Sequence, residues 1–301
     1  MRFGFTLPNN WGVEDAAGMV DLARRAEHAG YDSVWVNHHL LNVGYVGDRL
    51  GDKPYHDALT TLTWAAAVTS RVRLGTSVLV IPYLSPFVLA KAMATLDQLS
   101  GGRVLCGVGV GSLPEEHQVV STVPFDARGR YADEFLQVMV ELWTSASPSF
   151  SGEFFSFEGA VASPAPLQRP HCPLLIGGNR PAALRRTARF GQGWHALGTS
   201  PEGLRQRLER LDHELQAVGR SRAEVTISVR ADLHVLADGV SAEGRPQPFR
   251  GTASDLAQRV EEYAEVGVDE VVVSVASGDL ERQRQQLGAF ADGVLSKLAR
   301  S

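Results

Sequence analysis

The sequence predicts an α/β fold, a (β/α)8 TIM barrel with insertions after the second and fourth strands. Three observations predict it. Apolar strand-like runs alternate strictly with amphipathic helix-like runs, roughly eight of each. Several runs, such as Val72–Val80 and Asp269–Val275 (DEVVVSV), are near-continuous in Val, Ile and Leu, as in parallel strands buried on both faces. Finally, the 301 residues carry neither an internal repeat nor an interdomain linker, so residues 1–301 read as one domain. An open doubly wound sheet is the alternative, and the count of eight favours closure.

The elements follow in order. Arg2–Leu7 reads as the first strand, stopped by Pro8, and Glu14–Ala29 as a helix stopped by Gly30. Ser33–Asn37 is the second strand, followed by a long loop through Asp57 and a helix over Ala58–Ser70. Val72–Val80 is the third strand and Phe87–Leu99 its helix, ended by Gly101-Gly102. Val104–Val110 is the fourth strand, followed by a loop and a helix near Arg130–Trp143. Ser147–Pro170, rich in Phe, Ser and Pro, reads as inserted. Strands at Leu174–Gly177, Gly193–Leu197, Val225–Leu236 and Asp269–Val275 then alternate with helices at Pro181–Phe190, Pro201–Val218, Thr252–Val266 and Asp279–Ala299.

Composition narrows the function classes. A net charge of −5, with no Lys/Arg-dense stripe interleaved with aromatics, weighs against nucleic acid as a partner. No apolar run is long enough for a membrane span, and MRFGFTLPNN lacks the apolar core of a signal peptide. Cys106 and Cys172 lie in or beside strands without metal-ligand spacing, and read as buried free thiols of a cytoplasmic protein.

In a barrel of this kind chemistry sits in the loops after the strands. Gly177-Gly178-Asn179 before a helix suits an anion, because glycines let backbone N–H groups approach and the helix start adds its positive end; Arg180, Arg185 and Arg186 add charge nearby. A plain strand-to-helix turn explains the same glycines. Gly107–Ser112 lacks the third glycine of a dinucleotide fingerprint, so its glycines read as clearing room for a flat ring. His38 and His39 follow the second strand; as neighbours they point to opposite sides, so one faces the mouth. Without a carboxylate or H-x-H partner set, no metal is expected, and the reading is a proton-passing histidine. His56, Asp57 and His195 are weaker candidates, Asp57 also suiting a helix cap. Tyr45, Tyr55, Tyr83 and Trp194 are candidate pocket walls.

The stretches SVWVNHHL (33–40), SRVRLGTSVLVIPY (70–83), LAKAMATLDQLSGGRVLCGVGVGS (89–112), FDARGRYADEF (125–135) and QRPHCPLLIGGNRPAALRRTARFGQGW (168–194) resemble the luciferase-like monooxygenase superfamily, within it the branch that uses the deazaflavin coenzyme F420. The resemblance implies that His39 matches the active-site histidine, with His38 where deazaflavin relatives carry Asp and flavin relatives Glu. It implies a non-proline cis peptide at Ser77-Val78, bulging under the cofactor ring. Val110 and Gly111 match cofactor-lining positions, and Gly177, Gly178 and Asn179 the loop for its phosphate and side chain. Ser112 stands where the family's sugar-phosphate dehydrogenases carry a glutamate proton donor, which argues against glucose 6-phosphate. A homodimer is implied as well.

The resulting expectation is an F420-dependent oxidoreductase that moves a hydride between deazaflavin and a small organic substrate, with loop 41–57 and insertion 147–170 closing over the site. The rivals are an FMN monooxygenase using O2, a catalytically silent cofactor-binding barrel, and a metal-dependent hydrolase.

Overall fold

The computed structural model describes residues 1–237 and 249–298. Eight parallel strands form the barrel: β1 (Arg2–Thr6), β2 (Ser33–Val36), β3 (Arg73–Thr76), β4 (Val104–Gly109), β5 (Leu174–Gly177), β6 (Gly193–Leu197), β7 (Thr226–Val235) and β8 (Glu270–Ser274). Each pairs with its successor, and β8 pairs with both β7 and β1, as in Phe3 opposite Val271, which closes the ring. The outer layer is built by helices α1 (Ala16–His28), α2 (Gly44–Leu50), α3 (Ala58–Val68), α4 (Pro86–Ser100), α5 (Pro114–Val120), α6 (Arg128–Thr144), α7 (Pro181–Phe190), α8 (Pro201–Ala217), α9 (Ala253–Glu265) and α10 (Leu280–Phe290).

Two side-chain layers hold this together. Outward-facing Phe5, Val34, Leu74, Cys106, Ile176, Trp194, Val229 and Val273 are buried against the helices in one continuous core. Inside the barrel, Trp35 packs with Leu105, Leu175 and Val272. That indole needs glycine opposite it: a Cβ at Gly75 or Gly4 would overlap the Trp35 ring. His195 then stacks on Trp35 with centroids 4.9 Å apart and planes 7° from parallel.

The end of the barrel where the strands begin is stapled by two charges, Glu27 buried and Arg103 half-buried. Glu27, on α1, accepts from the backbone N–H groups of Ser70, Arg71 and Val72 at 3.0, 2.6 and 3.0 Å, fixing the entry to β3. Arg103 enters β4 and donates to the carbonyls of Ala66, Thr69, Val72 and Ser100 at 2.9, 3.1, 2.9 and 2.7 Å. One guanidinium thereby closes the C-terminal ends of α3 and α4, where helix carbonyls lack partners.

The structure differs from the sequence-based expectation in five respects. The third strand is not continuous: it stops at Thr76, and a cis Ser77–Val78 peptide turns the chain before Leu79–Val80 resumes pairing with β4. The stretches read as loops after strands two and four each hold a short helix, α2 and α5. A three-residue strand, Phe249–Gly251, pairs with the end of β7. The closing helix is regular only to Phe290 and widens to a π-turn over Ala291–Leu295; Ala299, its expected end, lies outside the described residues. Residues 150–151 and 156–157 of the expected insertion form a small antiparallel hairpin.

Candidate active site

The residues singled out from the sequence sit at strand ends on one face of the barrel. His38 and His39 follow β2, Ser77 and Val78 follow β3, Val110 and Gly111 follow β4, and Gly177, Gly178 and Asn179 end β5. The two histidines diverge. His38 is buried and its Nδ1 accepts the backbone N–H of Val80 at 3.1 Å, so its own proton resides on Nε2. It thereby pins the strand that returns from the cis bulge. His39 faces outward to the mouth, with 17% of its side chain exposed.

Glu116 is the residue that the sequence reading missed. It is fully buried on α5, and its Oε2 takes the Nδ1–H of His39 at 2.5 Å. Its Oε1 accepts the N–H groups of Leu40 and Leu41 at 2.6 and 3.1 Å. With the His39 proton fixed on Nδ1, Nε2 accepts from the Tyr45 hydroxyl at 2.9 Å. Burial pushes the Glu116 carboxyl up, but the His39 and backbone hydrogen bonds outweigh it, so the group is held below the ordinary carboxylate range. It stays ionised and acts as an orienting anion for the imidazole. A signal existed in the sequence. Pro114 followed by Glu115 and Glu116 is the start of a helix, with proline in its first turn and acids against its positive end. The helix then sends Glu115 to solvent and Glu116 inward.

The glycines of β4 and β5 make room within the protein itself. A Cβ at Gly109 or Gly177 would come within 2.8 Å of a Val78 methyl, and one at Gly107 would overlap the Thr76 carbonyl oxygen. They clear space for the bulge. Val78 thus lies against the strand ends as an apolar step, held from beneath by Ser77. The Ser77 hydroxyl meets His195 Nε2 at 2.9 Å, and His195 Nδ1 meets Ser228 Oγ at 2.8 Å. His195 is fully buried and supports the floor instead of facing the mouth.

Several weaker candidates resolve into structural roles. Asp57 caps α3 through the N–H of Thr60 at 2.8 Å, and His56 bonds the Val13 carbonyl at 2.7 Å. Trp194 is completely buried in the helix-facing core, its Nε1 donating to the Gly178 carbonyl at 2.8 Å, so it is not a pocket wall. Tyr45 and Tyr55 do belong to the mouth, their rings 5.7 and 5.9 Å from that of His39. Tyr83 lies beside Gly111, which adopts φ +74. The Asn179 amide bridges Leu197 and Thr199 at 2.6 and 3.0 Å, tying together the loops after β5 and β6. Arg186 is committed to Asp133 at 2.6 Å, which removes it from the expected anion site. The start of α7 remains uncapped by any side chain, with Pro181 in its first turn. Among the described residues no group of three or more His, Cys, Asp or Glu could hold a metal, and no helix is long and apolar enough to cross a membrane.

Burial gives the site a pH signature. Desolvation lowers His38 to about 4 and His195 to about 3, from an ordinary 6.5. Below pH 6.5 the unfolded chain binds protons that these folded imidazoles refuse, so their contribution to stability falls as pH drops from about 6.5 towards 4. Each unit of difference is worth ~1.4 kcal/mol, so the combined loss reaches several kcal/mol. Urea unfolding midpoints measured between pH 7.5 and 4.5 should fall steeply, and less steeply in His195→Gln. An equal slope in that variant would remove His195 from the account.

Comparison with known proteins agrees with the geometry. The family model for luciferase-like monooxygenases matches residues 1–250. An F420-dependent glucose-6-phosphate dehydrogenase of Kineococcus radiotolerans is 34% identical over 223 residues, 71% of this chain and 63% of that one. An FMNH2-dependent dimethylsulfone monooxygenase of Pseudomonas putida is 29% identical over 226 residues, 74% of this chain and 59% of that one. Among solved structures, an F420-dependent secondary alcohol dehydrogenase, in complex with an F420-acetone adduct, superposes with a TM-score of 0.82 at 19% identity, covering 98% of each chain. The match to the family model spans every barrel strand but the last, and with it this chain belongs to the luciferase-like monooxygenase family.

Proposed function

We propose that the chain is an F420-dependent oxidoreductase acting on a small organic substrate. The observation that carries the reading is the Glu116–His39–Tyr45 chain, standing at the mouth beside the Val78 step. A deazaflavin supplies hydride chemistry when bound. The residues present fit such a group. Val78 offers an apolar support backed by rigid strands, and the uncapped start of α7 beside Gly177 and Gly178 suits a phosphate.

Each side chain then has a task. Glu116 fixes the His39 tautomer and stabilises its cationic form, and His39 Nε2 exchanges a proton with the group facing it. Tyr45, whose ring is half exposed, connects that nitrogen to solvent. His38 and Ser77 hold the Val78 step in place, while Gly177, Gly178, Asn179, Val110 and Gly111 shape the cofactor channel. Ser112 is exposed and carries no carboxylate, so the acid of this site is Glu116, four positions on. That arrangement disfavours glucose 6-phosphate as the substrate.

The FMN-dependent relative motivates the second reading, a monooxygenase on the same scaffold. Titrating the purified protein with F420 and with FMN, and following cofactor fluorescence, separates the two. A micromolar Kd for F420 with FMN at least about tenfold weaker is expected. FMN binding more tightly would transfer the assignment to the second reading, and binding of neither would sink both.

A further inference from the structure

The mouth holds more hydrogen-bond donors than its own acceptors satisfy. Arg230, partly buried on β7, spends its terminal nitrogens on neutral oxygens only: Asn37 Oδ1, the Ser77 carbonyl at 3.5 Å and Ser274 Oγ at 3.3 Å. Among the described residues, no carboxylate lies within ion-pair distance of it. Asp232, the acid two positions along the same strand face, attracts it electrostatically but from an exposed position and without forming an ion pair. Arg49, exposed on α2, stands 4.4 Å over the Trp11 indole and donates to the Asn10 carbonyl at 3.1 Å, and among the described residues it too pairs with no acid. Glu116, the buried acid nearby, is already committed to His39, Leu40 and Leu41.

Two further polar atoms around these arginines are shielded from water and have no partner: the Tyr55 hydroxyl and the Trp11 Nε1–H. Tyr55 lies within electrostatic reach of both Arg230 and Arg49, and burial pushes its phenol far up, so it remains a donor. An indole N–H and a guanidinium can only donate. Holding a guanidinium without an ion-pair partner, and two donors with no acceptor at all, away from water is costly unless an anion arrives. Planar, forked donors favour a planar acceptor with charge spread over two oxygens.

We infer that Arg230, Arg49, Tyr55 and Trp11 form a cradle for a delocalised oxyanion, either a carboxylate on the substrate or the ionised pyrimidinedione edge of a reduced cofactor ring. The second source rests on the proposed function; the first does not. The cradle sits beside Ser77, so either source would be held next to the Val78 step and His39.

Two titrations on the full-length protein decide the matter. In the first, the cofactor-free protein is titrated with acetate and with hexanoate at constant ionic strength, chloride serving as reference, and tryptophan fluorescence is followed. If the substrate supplies the anion, the response saturates at millimolar concentration or below. It then weakens about tenfold in Arg230→Gln, less in Tyr55→Phe, and not in the distant Arg24→Gln, while Arg230→Lys retains part of the binding. In the second, oxidised and reduced F420 are titrated into wild type and Arg230→Gln. If the ring supplies the anion, only the reduced form loses about tenfold in affinity. A folded Arg230→Gln protein that matches wild type in both titrations overturns the inference, as does a wild type that binds no carboxylate and no reduced cofactor. If wild type binds neither F420 nor FMN but binds carboxylates through Arg230, the proposed function fails and the cradle stands.

Discussion

Glu116→Gln is expected to lower turnover by about 100-fold or more while leaving the F420 dissociation constant within about threefold of wild type. The amide keeps one oxygen to accept from Leu40 and Leu41, so the loop after β2 retains its shape. Its NH2 group, however, faces His39 Nδ1, which must then become an acceptor. The imidazole proton moves to Nε2, and the nitrogen that receives the Tyr45 hydroxyl in the native protein turns into a donor. The cationic form also loses its counter-charge. Glu116→Ala is the poorer test, because it strands three donors around a fully buried position and costs stability as well. Oxidation of reduced F420 by any substrate that wild type turns over gives the rate, and cofactor fluorescence gives the affinity. Unchanged turnover in a folded Glu116→Gln enzyme would remove the dyad from the mechanism.

Gly107→Ala is expected to be the most damaging single methyl in the barrel, costing more than about 3 kcal/mol or preventing folding. The added carbon would occupy the space of the Thr76 carbonyl oxygen, and backbone cannot rotate away as a side chain can. Thr76 is itself fastened there, its hydroxyl donating to the Gly107 carbonyl at 2.7 Å. The same substitution at Gly288, in α10 with no heavy atom within 4 Å of the new methyl, should stabilise by about 0.5–1 kcal/mol through helix propensity. Paired urea melts check both, and a Gly107→Ala protein as stable as wild type would mean that the bulge is soft.

The barrel was legible because its strands are buried on both faces and so write themselves as unbroken Val, Ile and Leu. Caps and stops such as Gly30, Gly101 and Asp57 marked the helices. The mouth was legible only in part. His39 could be found from its place after a strand, and Ser77–Val78 from resemblance, but periodicity cannot reveal a seven-residue helix such as α5, too short to show two turns of pattern. Glu116 stayed hidden with it. The purpose of Gly107, Gly109 and Gly177 was equally out of reach, because it depends on a Val78 side chain delivered from another strand. Arg230 has the same difficulty: a lone arginine in a strand says nothing until its neighbours are known to be neutral.

Glu27 and Arg103 brace the opposite end of the barrel, using backbone groups of the strand and helix termini there and none from the loops that follow the strands. The fold is therefore insured at the end that does no chemistry. Segments at the other end, such as 41–55, can be exchanged for those of a relative without disturbing this foundation, which gives the scaffold latitude to acquire new substrates by swapping its upper loops.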